Sequence, residues 1–191
     1  MKVGVDGGTV AGTLTAHTLN VAALAVLPDG ALASGSYDTT VRLWDVDAGA
    51  CVATLTGHEG SVHALAVLAD GRLASGSRDR TARLWDVTTT ACVGVLKGHA
   101  RSVCVIAALP DGRLASGSWD RTIGVWDTRH VSCAGAAVAA AAAGDSTVRL
   151  TPVVVLEGHT DSVISLASLL NGRLASGSRD NTVRLWPLPP V

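Results

Sequence analysis

Charge is scarce in this 191-residue sequence, at 16%, and nearly balanced, with a net charge of −1. That excludes a disordered polyelectrolyte and gives no reason to expect nucleic acid or an anionic membrane as partner. No apolar run reaches the length a membrane-spanning helix needs. The opening stretch MKVGVDGGTV lacks the apolar core of a signal peptide, so an intracellular location, cytoplasmic or nuclear, is expected. The four cysteines (Cys51, Cys92, Cys104, Cys133) form no CxxC pair, which favours inert thiols over disulfides or metal ligands. There is no G-x-S-x-G, no phosphate-binding glycine loop and no HExxH, so neither cofactor nor metal is expected. No segment carries the apolar period of an amphipathic helix. Aromatic residues are only 3% of the chain, and the five Trp and single Tyr therefore stand out.

What is present is a repeat. The stretch LADGRLASGSRDRTARLWDV, residues 68–87, led by Gly57-His58, occurs four times with small edits. His17, His58 and His99 are 41 residues apart, as are Trp44, Trp85 and Trp126; His159 and Trp186 follow after a wider gap. Within each copy the His-to-Trp distance is 27 residues. A period of this length marks a repeated four-stranded blade. In the second copy an apolar, β-branched run, SVHALAVL, leads into the tight turn Asp70-Gly71. Two further strands follow, RLASGS and TARLWDV, and CVGVL supplies a fourth. Asp-Gly or Asn-Gly recurs at the equivalent turn of every copy, where two-residue hairpins need positive φ. The reading is all-β, with antiparallel four-stranded sheets.

The ends of the chain complement each other. Shifted by one period, residues 9–14 read as a fourth strand without its first three, while the stretch ending at Trp186 has three strands without a fourth. Pairing of the two would complete one blade and remove an open sheet edge. Residues 127–157 are irregular. Val138–Thr151 aligns on Ala31–Trp44, with Asp145 on Asp38 and Thr151 on Trp44. The segment is either a decayed blade or an Ala-rich insertion. The repeats then run over about 17–57, 58–98, 99–137, a degenerate 138–157, and 158–186, with 9–14 completing the last.

Gly-His, Ser-Gly-Ser-x-Asp and Trp-Asp at this spacing resemble the WD-repeat β-propeller family, over nearly the whole chain apart from 127–157. The resemblance implies a single propeller domain of four to five four-stranded antiparallel blades, closed by the N-terminal strand. It also implies a hydrogen-bonded tetrad in each blade: His17, Ser34, Asp38 and Trp44; His58, Ser75, Asp79 and Trp85; His99, Ser116, Asp120 and Trp126; His159, Ser176, Asp180 and Trp186. Ser36, Ser77, Ser118 and Ser178, two residues on, are the alternative hydroxyls. A buried indole N–H needs an acceptor, and a His–Asp pair sets the imidazole tautomer. Four Ser/His/Asp sets argue against a hydrolase triad, which occurs once, at a cleft with an oxyanion hole. Family members usually have seven blades, and this chain has material for four or five. That leaves a small ring, an open arc that self-associates to complete a ring, or part of a longer protein.

Function in such a scaffold resides in exposed loops. The residue before each tetrad Asp is where the family commonly presents its contacts: Tyr37, Arg78, Trp119 and Arg179 here, of types enriched in interface hot spots. Glu59, Arg101 and Asp161 belong to the same rim. His63 and His130 read as surface or packing residues. Trp126-Asp127-Thr128-Arg129 resembles the W-D-x-R box of WD-repeat substrate receptors of cullin-based ubiquitin ligases, with Asp127 and Arg129 as adaptor contacts; Ala115 departs from the larger apolar residue of that box. The expected function is non-enzymatic scaffolding for a protein or peptide partner. The ligase receptor is the alternative within binding, and a propeller enzyme domain the alternative outside it.

Overall fold

Alternating apolar runs and Asp-Gly turns fold into consecutive antiparallel sheets. The computed structural model describes residues 12–131, 147–170 and 172–190. Strands β1 (Val21–Val26), β2 (Leu32–Ser36), β3 (Val41–Asp45) and β4 (Ala50–Leu55) form the first sheet in chain order. Strands β5 (Val62–Val67), β6 (Leu73–Ser77), β7 (Thr81–Asp86) and β8 (Ala91–Lys97) form the second. The third contains β9 (Val103–Ala108), β10 (Leu114–Ser118) and β11 (Ile123–Trp126). Two short strands follow, β12 (Val148–Leu150) and β13 (Val154–Leu156). The last sheet is β14 (Val163–Ser168), β15 (Arg173–Ser178) and β16 (Val183–Pro187). Among the described residues there is no helix.

The first hairpin of every blade turns through a glycine with φ between +72° and +89°: Gly30, Gly71, Gly112 and Gly172. Such angles cost glycine little because it has no Cβ. In three of these turns the Asp carboxylate accepts the amide N–H two residues on, as from Arg72 to Asp70 at 3.1 Å. The second hairpin puts Thr39, Arg80, Arg121 and Asn181 at φ of 66–75°. Three of these four are neither Gly nor Asn, so the surrounding contacts must hold them there.

The irregular segment contributes to two sheets. β13 pairs antiparallel with β11 and is the outer strand of the third blade. β12 runs parallel to β8 as a fifth strand on the second blade. The third and fourth blades pack directly on each other, β9 and β10 against β14. Residues 138–146 of the degenerate repeat, Asp145 among them, lie outside the described residues, as does Cys133. So do residues 9–11 of the closing strand, and residues 12–14 form no strand.

The core is a set of layers between neighbouring sheets rather than one centre. Leu27, Val41, Leu43, Val62 and Leu73 fill the layer between the first and second blades. Ala64, Ala82, Leu84, Ile106 and Leu114 fill the next, and Ile123, Val125, Val163 and Leu174 the third.

Candidate functional site

The repeat unit generates two kinds of polar constellation, one buried in each blade and one spread across a rim. In every blade the indole Nε1–H donates to a serine Oγ: Trp44 to Ser34, Trp85 to Ser75, Trp126 to Ser116 and Trp186 to Ser176, at 2.7–2.8 Å. The same Oγ lies 2.7–2.8 Å from Nε2 of His17, His58, His99 or His159. Nδ1 of each imidazole lies 2.6–2.9 Å from Oδ2 of Asp38, Asp79, Asp120 or Asp180. The carboxylate can only accept, so Nδ1–H donates to it; with that proton on Nδ1 the bare Nε2 accepts the serine O–H, whose oxygen in turn accepts the indole N–H.

The second serine of each motif has a different task. Oγ of Ser36, Ser77, Ser118 and Ser178 accepts the N–H of the following Asp at 3.1 Å. It donates to a carbonyl of the loop preceding the first strand of its own blade. The remaining Asp oxygen, Oδ1, accepts both the side chain and the backbone N–H of Thr40, Thr81, Thr122 or Thr182. These bonds stabilise the turn whose tip carries the positive-φ residue.

The electrostatics match this arrangement. Burial raises the Asp79 carboxyl, but hydrogen bonds from His58 and Thr81 outweigh it and hold Asp79 well below the usual carboxylate range. Asp38 and Asp120 are held low in the same way, by Thr40 with His17 and by His99 with Thr122. For Asp180 the Thr182 hydroxyl is the leading cause. Burial pushes the His58 pKa down, against the pull of Asp79. A neutral imidazole donating to a carboxylate satisfies both directions. Ser34, Ser75, Ser116 and Ser176 are at most 2% exposed, so no substrate carbonyl reaches their hydroxyls.

The second constellation crosses the blades. Tyr37 (41% exposed) meets His63 edge-on, with ring centroids 5.4 Å apart. His63 stacks near Trp119 (37% exposed) at 6.2 Å, and the Arg179 guanidinium lies 5.9 Å from the Trp119 ring. These four side chains come one from each blade and form a continuous aromatic–cationic band. Tyr37, Glu59 and Arg78 line one shallow groove of this rim, and Arg101, Trp119 and Asp161 another. Such an arrangement can stack on, and pair with, an incoming chain.

His63 was not singled out by its sequence context, yet it joins Tyr37 to Trp119. The signal was available in the repeat. His63 occupies the position of Ala22, Cys104 and Ile164, and in each of β1, β5 and β14 the register shifts at this residue. A bulge re-aims a side chain, here toward the rim. Burial and then the nearby Arg78 lower the His63 pKa, and its buried Nε2 has no hydrogen-bond partner. Cys104, its counterpart in the third blade, has its thiol pushed up to about 11 by burial, and its Sγ lies 2.9 Å from the Val163 carbonyl oxygen.

Asp127 and Arg129 engage each other. Arg129 donates to Asp127 through Nε at 2.9 Å and Nη2 at 2.7 Å, and these bonds hold the Asp127 carboxyl well below its ordinary range. Thr128 between them is buried, with its hydroxyl on the Gly112 carbonyl. Arg72 of the second blade donates to the carbonyls of Thr128 and Val131 at 2.8 and 3.0 Å. Cys51 and Cys104 are free thiols.

The family model for the WD domain, G-beta repeat, matches residues 8–45, 49–86, 90–127 and 150–187. No match is found among curated proteins. Among solved structures, that of U3-55K is similar over 92% of this chain and 51% of its own, with a TM-score of 0.77 and 28% identity. The WD40 repeats of RRP9 are similar over 92% of this chain and 50% of their own, with the same TM-score and identity. The chain thus spans about half the length of the structures it matches.

Proposed function

The chain belongs to the WD domain, G-beta repeat family, and from that premise we propose that it is a non-enzymatic scaffold that binds a protein or peptide partner on its rim, inside the cell. The observation that carries this reading is the Tyr37–His63–Trp119–Arg179 band. Exposed aromatics beside guanidinium groups are what interface hot spots are made of. Charges of both signs flank the aromatics, Arg78, Arg101 and Arg179 beside Glu59 and Asp161, so the partner segment carries an apolar or aromatic side chain among charged groups. The Ser/His/Asp sets support the non-enzymatic reading, because every hydroxyl is buried and already committed to its Trp and His. The ligase-adaptor reading of Asp127 and Arg129 draws no support from their mutual ion pair.

The test is selection of peptides from a displayed random library on the full chain, followed by affinity measurement on variants. Trp119→Ala removes a hot-spot aromatic and is expected to cost about 2 kcal/mol, roughly thirtyfold in Kd. Arg129→Ala leaves affinity unchanged. Selected peptides that bind Trp119→Ala and Tyr37→Ala as well as the parent would refute the rim as the binding surface.

A further inference from the structure

Each junction between consecutive blades uses the same knob and the same hole. The knob is the first residue of a blade's first strand, and the hole is the glycine of the Ser-Gly-Ser motif one blade earlier. A Cβ built on Gly35 would lie 2.6 Å from Val62 Cγ1; on Gly76, 2.8 Å from Val103 Cγ1; on Gly117, 2.8 Å from Val163 Cγ1. Val62, Val103 and Val163 are fully buried as a result. Three junctions use three knobs and three holes, which leaves one of each.

The unused knob is Val21, half exposed at 50%, with Leu24 and Val26 beside it, also exposed. The unused hole is Gly177, where among the described residues a Cβ would meet only Ser165 of its own sheet, at an ordinary 3.4 Å. Around that hole Val183 is 75% exposed and Leu185 55%. Their counterparts Val41, Ala82 and Ile123, and Leu43, Leu84 and Val125, are all buried. The two bare faces are therefore the two halves of the junction the molecule already forms three times. Patches of this kind mark interfaces.

The geometry points to a second copy of this chain as the occupant of both faces. Val21 of one copy seats on Gly177 of the other, and Val21 of that copy seats on Gly177 of the first. Head-to-tail contacts either close into a ring or run on into a filament, depending on the rotation each subunit contributes. The arc matches 50–51% of the length of each of the two WD-repeat structures, so two arcs supply about the chain length of one such structure and the pair closes. Closure leaves no bare blade face. This inference does not rest on the rim reading, since the rim band and the end faces share no residue.

The test is solution mass by light scattering on the full chain across a dilution series. Twice the chain mass is expected. A single-chain mass, or an open-ended series of larger masses, overturns the proposal. Gly177→Val fills the hole with only an ordinary contact to Ser165 among the described residues of its own arc, and it is expected to give a single-chain mass with an unchanged β-sheet circular dichroism spectrum. Val183→Arg combined with Leu185→Arg, at exposed positions, should do the same should Gly177→Val fail to fold. A doubled mass that persists in a folded variant places the contact elsewhere and overturns the proposal. Trp119→Ala leaves the doubled mass unchanged.

Discussion

The second and fourth blades carry the same hydrogen-bond chain, with corresponding distances within 0.1 Å: 2.6 and 2.7 Å for His to Asp, 2.8 and 2.7 Å for Trp to Ser. Their surroundings differ. Trp85 is fully buried between two sheets, while Trp186 is only partly covered. Ala82 and Leu84 on β7 are buried, and Val183 and Leu185 on β16 face outward. The tetrad is thus a local property of the repeat, formed wherever the motif folds into a hairpin pair. Burial is a property of the stack, conferred by the next blade. This is the nearest-neighbour energetics expected of repeat architectures, in which each unit has its own stability and each junction adds another.

The largest expected effect separates those two contributions. Trp85→Ala should cost about 3–5 kcal/mol, as for other buried large aromatics. Trp186→Ala, measured at a dilution where the chain is single, should cost roughly 1–2 kcal/mol, because part of its ring then faces solvent. Urea unfolding curves measure both, and equal costs would break the comparison. A smaller effect is expected at the glycine holes. Gly76→Ala puts a methyl against Val103 and should cost about 1–3 kcal/mol by overpacking. Gly177→Ala, measured at a dilution where the chain is single, should fall within about 0.5 kcal/mol of the parent.

The smallest effect is in the acid limb. His58 is held below its ordinary value of about 6.5 by burial, so the unfolded chain takes up that proton first as pH falls. Its contribution is present above pH ~6.5 and is lost as pH drops toward the lower folded value. Asp79, held low by His58 and Thr81 despite burial, contributes above the ordinary carboxylate range and is lost only below about pH 4. Melting temperature against pH should therefore fall in two stages, and Asp79→Asn should flatten the second. A melting temperature that rises from pH 6.5 to pH 5 would contradict the sign.

Much of this was legible in the residues. The blade strands and their turns follow from period, Asp-Gly placement and alternation, which are local signals. The tetrad composition followed from the resemblance, which implied Ser75 and left Ser77 as the alternative hydroxyl. That choice depends on which hydroxyl faces the indole across the β6–β7 pairing, where Ser75 stands opposite Arg83 and Leu73 opposite Trp85. His63 reads from the sequence as a surface or packing residue, because its place in the band comes from neighbours in other blades. The segment around 148–156 was ambiguous because three-residue strands have too little pattern to show which sheet they will join.

By itself the chain of residues determined the unit: four strands, two turn types, and an imidazole and a carboxylate to anchor each indole. These depend on contacts within about forty residues, and the repeat spells them out four times. Only the tertiary structure decided how the units share surface. It brought Tyr37, His63, Trp119 and Arg179 into one band, and it left Val21 and Gly177 without the partners their counterparts have. The physical reason is that a sheet face has two possible neighbours, another blade or water, and nothing within a single repeat states which one is there.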